Sequence, residues 1–269
     1  MSILVWNCRG LGNPRTVRVL RQLAKDKIPS LVFLVETKCN CRRMDMIRGK
    51  LRFDNCLAVD SVGLRGGIAL LWKTDWNVEI ISYSRWHVNS IVLEEENDPT
   101  WQFTGLYGHP EVAKRSSSWQ LLHMLKPTTP MAWLCAGDFN EILYQKEKLG
   151  GASRPYKQIE EFRQVVERCG LSDLQSRGQK YTWANNKFGG DFIKERIDRA
   201  FANKEWSNLH SLALCTILPA VNSDHSSLYI NKQFLNCKRN KRGLIFKYEA
   251  AWDLRDECQG IVTEAWGKG

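Results

Sequence analysis

The first residues able to do chemistry stand at the end of an apolar run. Ala132-Trp133-Leu134-Cys135-Ala136-Gly137 delivers Asp138, Phe139 and Asn140. If the chain stays extended, Asp138 and Asn140 project to the same side while the Phe139 ring turns back into the core. A carboxylate beside a carboxamide at such a strand end suits orienting a water and holding an anionic substrate oxygen. The same residues also read as a strand closed by an Asx turn, in which the Asp138 side chain serves the backbone. Other polar residues end apolar segments in the same way: Asn7, Glu36, Tyr107 and Asp198, with Asp224 and His225 between Pro219 and Leu228-Tyr229-Ile230. Singly, each has a plain structural reading. Glu36 reads as a solvated strand-end acid, Tyr107 as an interfacial aromatic, Asp198 as a partner of Arg196 or Arg199, and His225 as a turn residue on a surface loop.

Several elements must position these groups. Residues 3–7 form a short strand, and Asn13-Pro14 is a helix start after a loop with two glycines. Thr16, Val19, Leu20 and Leu23 follow at helical spacing until Ile28-Pro29. Residues 31–35 are apolar on both faces, as in a strand covered on each side. If the strands at 3–7 and 31–35 run parallel, Asn7 and Glu36 share one edge. Residues 53–107 break into short β segments spaced roughly ten residues apart, which predicts an antiparallel meander with a turn at Asn97-Asp98-Pro99. Trp119, Leu122 and Leu125 predict a helix leading back to the strand that carries Asp138. Ile159, Phe162, Val165, Val166 and Cys169 predict another, closed by Gly170. Residues 181–183 and 193–201 read as paired strands around the hairpin residues 185–191, and 212–217 as a further strand.

Composition narrows the class. The chain has 269 residues, 43% of them hydrophobic and 11 of them Trp, enough for one large folded domain. No stretch approaches the roughly 20 apolar residues of a membrane span, and Arg9 and Arg18 interrupt the opening where a signal peptide would continue. The expectation is a protein that is neither secreted nor membrane-bound, nuclear or cytoplasmic in location. Nine scattered cysteines, without paired zinc-ligand spacing, read as reduced thiols. The net charge of +10 is uneven: residues 1–52 hold twelve Lys/Arg against three Asp/Glu, and 53–230 hold nineteen against twenty-one. Residues 232–247 add six basic residues and no acid. A basic front and tail on a near-neutral body read as a footprint for a polyanion, or as solubilising surface charge.

Taken together, Trp6-Asn7, Val35-Glu36-Thr37, Leu106-Tyr107, Gly137-Asp138-Phe139-Asn140, Arg196-Ile197-Asp198 and Ser223-Asp224-His225 occur in an order that resembles the endonuclease/exonuclease/phosphatase superfamily. Within it, the opening Leu4-Val5-Trp6-Asn7-Cys8-Arg9-Gly10-Leu11-Gly12 is similar to the apurinic-type endonuclease domain of plant LINE-type non-LTR retrotransposons. The resemblance implies an α/β fold, a four-layer α/β/β/α sandwich of the DNase I-like type over residues 1–231. Residues 232–269 are then a basic linker and amphipathic helical tail that begins a further region. It also implies a magnesium-dependent phosphodiester hydrolase that nicks DNA. Glu36 would be the principal Mg2+ ligand, with Asn7 and Asp224 close by, and Mn2+ is the other cation the set would accept. Asp138 would activate the water, Asn140 hold the scissile phosphate, Asp198 orient and charge His225, and Tyr107 stabilise the phosphate or leaving group. Thr182 and Ser223 match supporting positions, while Arg9, Arg15 and Asn185 are candidate nucleic-acid contacts. His109, after Tyr107, departs from the relatives and reads as neutral variation rather than an added phosphate contact. The implied partners are DNA and, in a full-length element, a reverse transcriptase region; the domain itself is expected to be a monomer that binds no membrane. The rival readings are a same-fold phosphoesterase acting on RNA or on inositol phosphates or lipids, and an inactive nucleic-acid-binding remnant.

Overall fold

A computed structural model describes residues 1–63, 66–93, 100–187 and 189–232. The chain opens with β1 (Ser2–Asn7), α1 (Pro14–Lys27), β2 (Leu31–Val35), α2 (Cys41–Leu51), β3 (Asn55–Val59) and β4 (Ile68–Trp72). It continues with β5 (Asn77–Ser84), β6 (His87–Leu93), β7 (Trp101–Tyr107), α3 (Arg115–Met124) and β8 (Ala132–Asp138). Then come β9 (Lys148–Leu149), α4 (Tyr156–Arg168), β10 (Ser172–Asp173), β11 (Ser176–Gly178), β12 (Trp183–Ala184) and β13 (Lys194–Glu195). The last described elements are β14 (Asp198–Ala202), α5 (Lys204–Leu209), β15 (Leu214–Ile217) and β16 (Leu228–Asn231).

Two large sheets result, ordered β11-β15-β16-β1-β2-β4-β3 and β10-β14-β8-β7-β6-β5, with a small ribbon β12-β13-β9 beside them. Alternation along each strand decides the layers. Ile3, Val5, Phe33 and Val35 of the first sheet meet Phe103, Leu134, Ala136 and Ala200 of the second between the sheets. Their neighbours Leu4, Trp6, Val32 and Leu34 point outward onto Val17, Leu20, Met44 and Ile47 of α1 and α2. On the other side Trp133, Cys135 and Phe201 pack on Trp119, Leu122, Phe162 and Val166 of α3 and α4. The architecture is the expected four-layer α/β/β/α sandwich. The sheets approach closely at Gly105, where a Cβ would lie 2.5 Å from the Phe33 ring of the opposite sheet.

Local signals behave as their chemistry dictates. The Asn13 side chain accepts the Arg15 N–H and Pro14 begins α1, while Ile28 ends it in the left-handed conformation with φ 45°. Gly170, φ +69°, follows α4 and donates to the Glu167 carbonyl. Two expectations fail. Residues 53–107 are not one meander: β3 and β4 extend the first sheet beside β2, and β5, β6 and β7 form the edge of the second. β4 is apolar on both faces because helices and the other sheet cover it, whereas β5 alternates between exposed and covered positions as an outer strand does. The strand predicted over 193–201 also divides, β13 joining the ribbon and β14 pairing with β8. At the division Thr182 Oγ1 accepts the N–H groups of Ile197 and Asp198, at 3.0 and 2.9 Å, replacing ladder partners. The turn at Asn97-Asp98-Pro99 and the tail beyond Lys232 lie outside the described residues. Among the described residues the cysteines are free and no helix is long and apolar enough to cross a membrane.

Candidate active site

A parallel pair stands at the centre of each large sheet, β1–β2 in the first and β7–β8 in the second, and both pairs end at the same edge of the molecule. In β1 and β2 the register sets Asn7 opposite Val35, so Glu36 follows at the rim. In β7 and β8 it sets Tyr107 opposite Asp138, and antiparallel β14 begins there with Asp198 opposite Asp138. Glycine at 137 is required, because a Cβ there would overlap the Leu106 carbonyl oxygen. His225 arrives from the segment between β15 and β16, which also bridges to Trp183.

These side chains form one continuous network. Asn7 Nδ2 donates to Asp138 Oδ2 at 2.9 Å and to Glu36 Oε1 at 3.4 Å. The Tyr107 hydroxyl donates to Glu36 Oε1 at 2.9 Å. His225 Nδ1 stands 2.9 Å from Asp198 Oδ2 and 3.2 Å from Oδ1. Ser223 Oγ donates to the Asn7 carbonyl at 3.0 Å and accepts the His225 N–H at 3.1 Å, tying that segment to the end of β1. Asp138, Asp198 and His225 each offer an atom within 4.8 Å of the others. Asn7, Glu36, Tyr107, Asp138, Asp198, Asp224 and His225, with the supports Thr182 and Ser223, are therefore brought together.

Three residues stand differently from the expectation. His225 is not on the surface but 2% exposed, because Trp6 Nε1 donates to its carbonyl at 3.1 Å and the Ser226 N–H donates to the Thr182 carbonyl at 2.7 Å. Asn140 does not continue the strand: its φ is 55°. Its N–H donates to Asp138 Oδ1 at 2.9 Å, the Asx turn that the local sequence also allowed, while its Nδ2 donates to the Gly108 carbonyl at 2.9 Å. Asp138 thus closes a turn with one oxygen and meets Asn7 with the other. Asn185, expected to meet nucleic acid, spends its side chain on its own loop, donating to the Asp191 carbonyl and accepting the Lys187 and Ile193 N–H groups. Arg15 is exposed at the start of α1, outside this network.

Arg9 lies inside it. Its guanidinium reaches Glu36 Oε1 at 3.4 Å and Asp224 Oδ1 at 3.3 Å, with a side chain that is 45% exposed. Lys38 Nζ stands 3.7 Å from Glu36 Oε2, and Trp183 Nε1 donates to Asp224 Oδ2 at 3.0 Å. Neither of these two stood out in the sequence as a site residue; the proximity of Lys38 to Glu36 in the chain was the available signal, whereas Trp183 is brought there only by the ribbon. His109 lies against Trp86, their ring centroids 4.5 Å apart.

Burial sets the electrostatics. The Asp138 carboxyl is pushed up to about 7, first by burial and then by the facing Asp198. Burial alone would lower His225, but the Asp198 carboxylate overrides it and raises the imidazole to about 9. Burial, followed by Glu36 and Asp138, raises Tyr107, so its hydroxyl stays protonated and donates.

The donor set also fits a hard cation. Glu36 and Asp224 converge on a positive group of the chain itself, and the buried Asp224 Oδ1 meets it as an ion pair outside hydrogen-bond geometry. Carboxylate and carboxamide oxygens are the ligands that Mg2+ accepts while keeping several waters. Asp138, Asp198 and His225 are a less suitable locus, because His225 Nδ1 and Asp198 already satisfy each other.

Residues 4–225 match the model of the endonuclease/exonuclease/phosphatase family. Solved structures similar to the chain include the AP endonuclease LMAP of Leishmania major, 15% identical, with a TM-score of 0.67 over 85% of this chain and 86% of that one. The 3′ phosphatase NExo of Neisseria, bound to a product DNA hairpin, is 15% identical, with a TM-score of 0.66 over 86% and 98%. The endonuclease domain of TRAS1, a telomere-specific non-LTR retrotransposon, is 14% identical, with a TM-score of 0.62 over 87% and 99%. No curated protein matches at the sequence level.

Proposed function

The chain belongs to the endonuclease/exonuclease/phosphatase family, and from that membership we propose that it is a magnesium-dependent phosphodiesterase that nicks DNA, the endonuclease part of a LINE-type retroelement or of a fragment derived from one. The observation that carries this reading is the convergence on one edge of Asp138, oriented by Asn7 and the Asn140 N–H, with the Asp198–His225 pair beside it, the carboxyl of Asp138 and the imidazole of His225 both raised by their surroundings. A base whose pKa lies near the working pH takes a proton without being permanently charged or permanently protonated. Asp138, oriented by Asn7 Nδ2 and the Asn140 N–H, receives the proton of a water whose oxygen attacks phosphorus. The bond from phosphorus to the 3′ oxygen breaks, and that oxygen takes up a proton from solvent water to leave a 3′-hydroxyl opposite a 5′-phosphate. His225, kept cationic by Asp198, donates to a phosphoryl oxygen as negative charge gathers there. The protonated Tyr107 hydroxyl and Asn140 bear on the same phosphate. Glu36, Asn7 and Asp224 would hold a divalent cation, which would supply Lewis-acid stabilisation of the charge on the phosphate and leaving oxygens.

The test is nicking of supercoiled plasmid with and without Mg2+ by the parent, Asp138→Ala and His225→Ala. Each substitution is expected to slow nicking by about 10²–10⁴-fold. Equal rates in all three proteins would overturn the site assignment. Plasmid left supercoiled beside rapid hydrolysis of RNA or of an inositol phosphate would overturn the substrate.

A further inference from the structure

The basic front of the chain does not gather at the catalytic edge. Arg9 and Lys38 stand there, but most of the remainder lies at the other end of the first sheet. At that end a cavity of about 610 Å3 opens between α1 and α2, lined by Arg18, Arg21, Lys25, Lys50, Arg52 and Lys73 and by no carboxylate. Its position follows from the strands. Ser30 donates its N–H to the Ser2 carbonyl at the start of β1, and Trp72, next to Lys73, pairs with Leu31 at the start of β2. Asn7 and Glu36 stand at the opposite ends of those strands, about 17–20 Å away for strands of this length.

The charges there are only partly explained within the chain. Lys25 and Lys50 occupy the last turns of α1 and α2 and complement the free carbonyls of those ends. That reason does not extend to Arg18 and Arg21 within α1, which share a face with Lys25; Lys73 beyond β4 serves the end of α2 and lies near the Asp54 carboxylate. Among the described residues none of the six forms an ion pair with a carboxylate. Lys73 donates to the Arg52 carbonyl and lies 5.0 Å from the centre of the Phe53 ring, so it is held at the cavity wall. Six cations around one concavity repel one another, and a polyanion entering it removes that cost while releasing its own counterions.

We infer that this groove is a second nucleic-acid site, which grips the sugar–phosphate backbone of a segment other than the one being cleaved. Its concave form, ringed by cations from both helices, does not match a flat lipid surface. The choice of nucleic acid as the polyanion rests on the proposed function. The site itself does not, because it shares no residue with the catalytic network.

The test compares the full chain with an Arg18→Gln/Arg21→Gln/Lys50→Gln variant, all three positions being exposed. Anisotropy of a labelled 30-nucleotide single strand and of the matching duplex is measured across a salt series. The variant is expected to bind at least tenfold more weakly at about 0.1 M salt, with a salt slope shallower by about 2–3, since each phosphate contact contributes about 0.7–0.9. The nicking rate on a short saturating hairpin should be unchanged. Parental affinity and slope in the variant would overturn the inference, as would flotation with phosphatidylserine vesicles that the substitutions abolish while leaving nucleic-acid binding intact. A parent that fails to nick, together with a variant that loses affinity, would overturn the proposed function and leave this site standing.

Discussion

Replacing Asp198 by Asn tests the electrostatic core of the site. The carboxylate lies 2.9 Å from His225 Nδ1 through one oxygen and 3.2 Å through the other, and the imidazole is 2% exposed. With the carboxylate present the imidazole is held at about 9; with a carboxamide in its place burial pulls the group down, opposed only by the lesser effects of Asp138 and Asp224, so the imidazole moves back toward its ordinary value. A rise of about 2.5 units above the ordinary value corresponds, at 1.36 kcal/mol per unit, to about 3 kcal/mol of stability, most of which the Asp198 carboxylate supplies. Because the folded value lies above the unfolded one, that contribution is fully present below about pH 6.5 and is lost as pH rises through about 9. Urea denaturation of the metal-free parent should accordingly show stability falling between those limits, and Asp198→Asn should be less stable at pH 6 and lack that fall. An NMR titration of the His225 ring gives the direct reading. A His225 midpoint that stays near 9 in the variant, or identical pH profiles for both proteins, would refute the assignment of the raised imidazole to Asp198.

Other substitutions probe the supports. Thr182→Val keeps the side-chain shape but removes the acceptor for the Ile197 and Asp198 N–H groups, and is expected to cost about 2 kcal/mol in denaturant unfolding; an unchanged midpoint would show that the hydroxyl does not hold the start of β14. Arg9→Met removes the guanidinium from Glu36 and Asp224, and calorimetry should then record tighter binding of Mg2+ or Mn2+ than by the parent. Equal or weaker binding would mean that these two carboxylates do not form the cation locus.

Much of the site could be read along the chain because its groups are strand-end residues. An apolar run that stops at a polar side chain marks a strand terminus, and Asn7, Glu36, Tyr107 and Asp138 were each found that way. The alternating cores on either side of the strands carry the four layers, so the fold was legible from the same runs together with the family resemblance. Periodicity was weaker wherever one run served two sheets. Residues 193–201 look continuous, yet Glu195 belongs to the ribbon and Asp198 to the second sheet, and only the Thr182 hydroxyl shows where the chain changes partner. His225 reads as a surface turn along the chain because its neighbours are Ser223, Asp224, Ser226 and Ser227, while its burial comes from Trp6 and Trp183, distant in sequence.

The sequence by itself determined which groups could act and in what order along the chain, since a side chain's chemistry and a strand's period are local properties. It allowed the Asx turn at Asp138, a contact across two residues, without choosing it over a continued strand. Tertiary structure alone decided that Asn7 would meet Asp138 across 131 positions and that Arg9 would lie between two acids. It alone decided that the basic front would divide between the catalytic edge and the far end of α1. Those outcomes depend on strand direction and on how the two sheets stack. Burial, which raises Asp138 to about 7 and opposes the charge on His225, exists only once both sheets have closed over them.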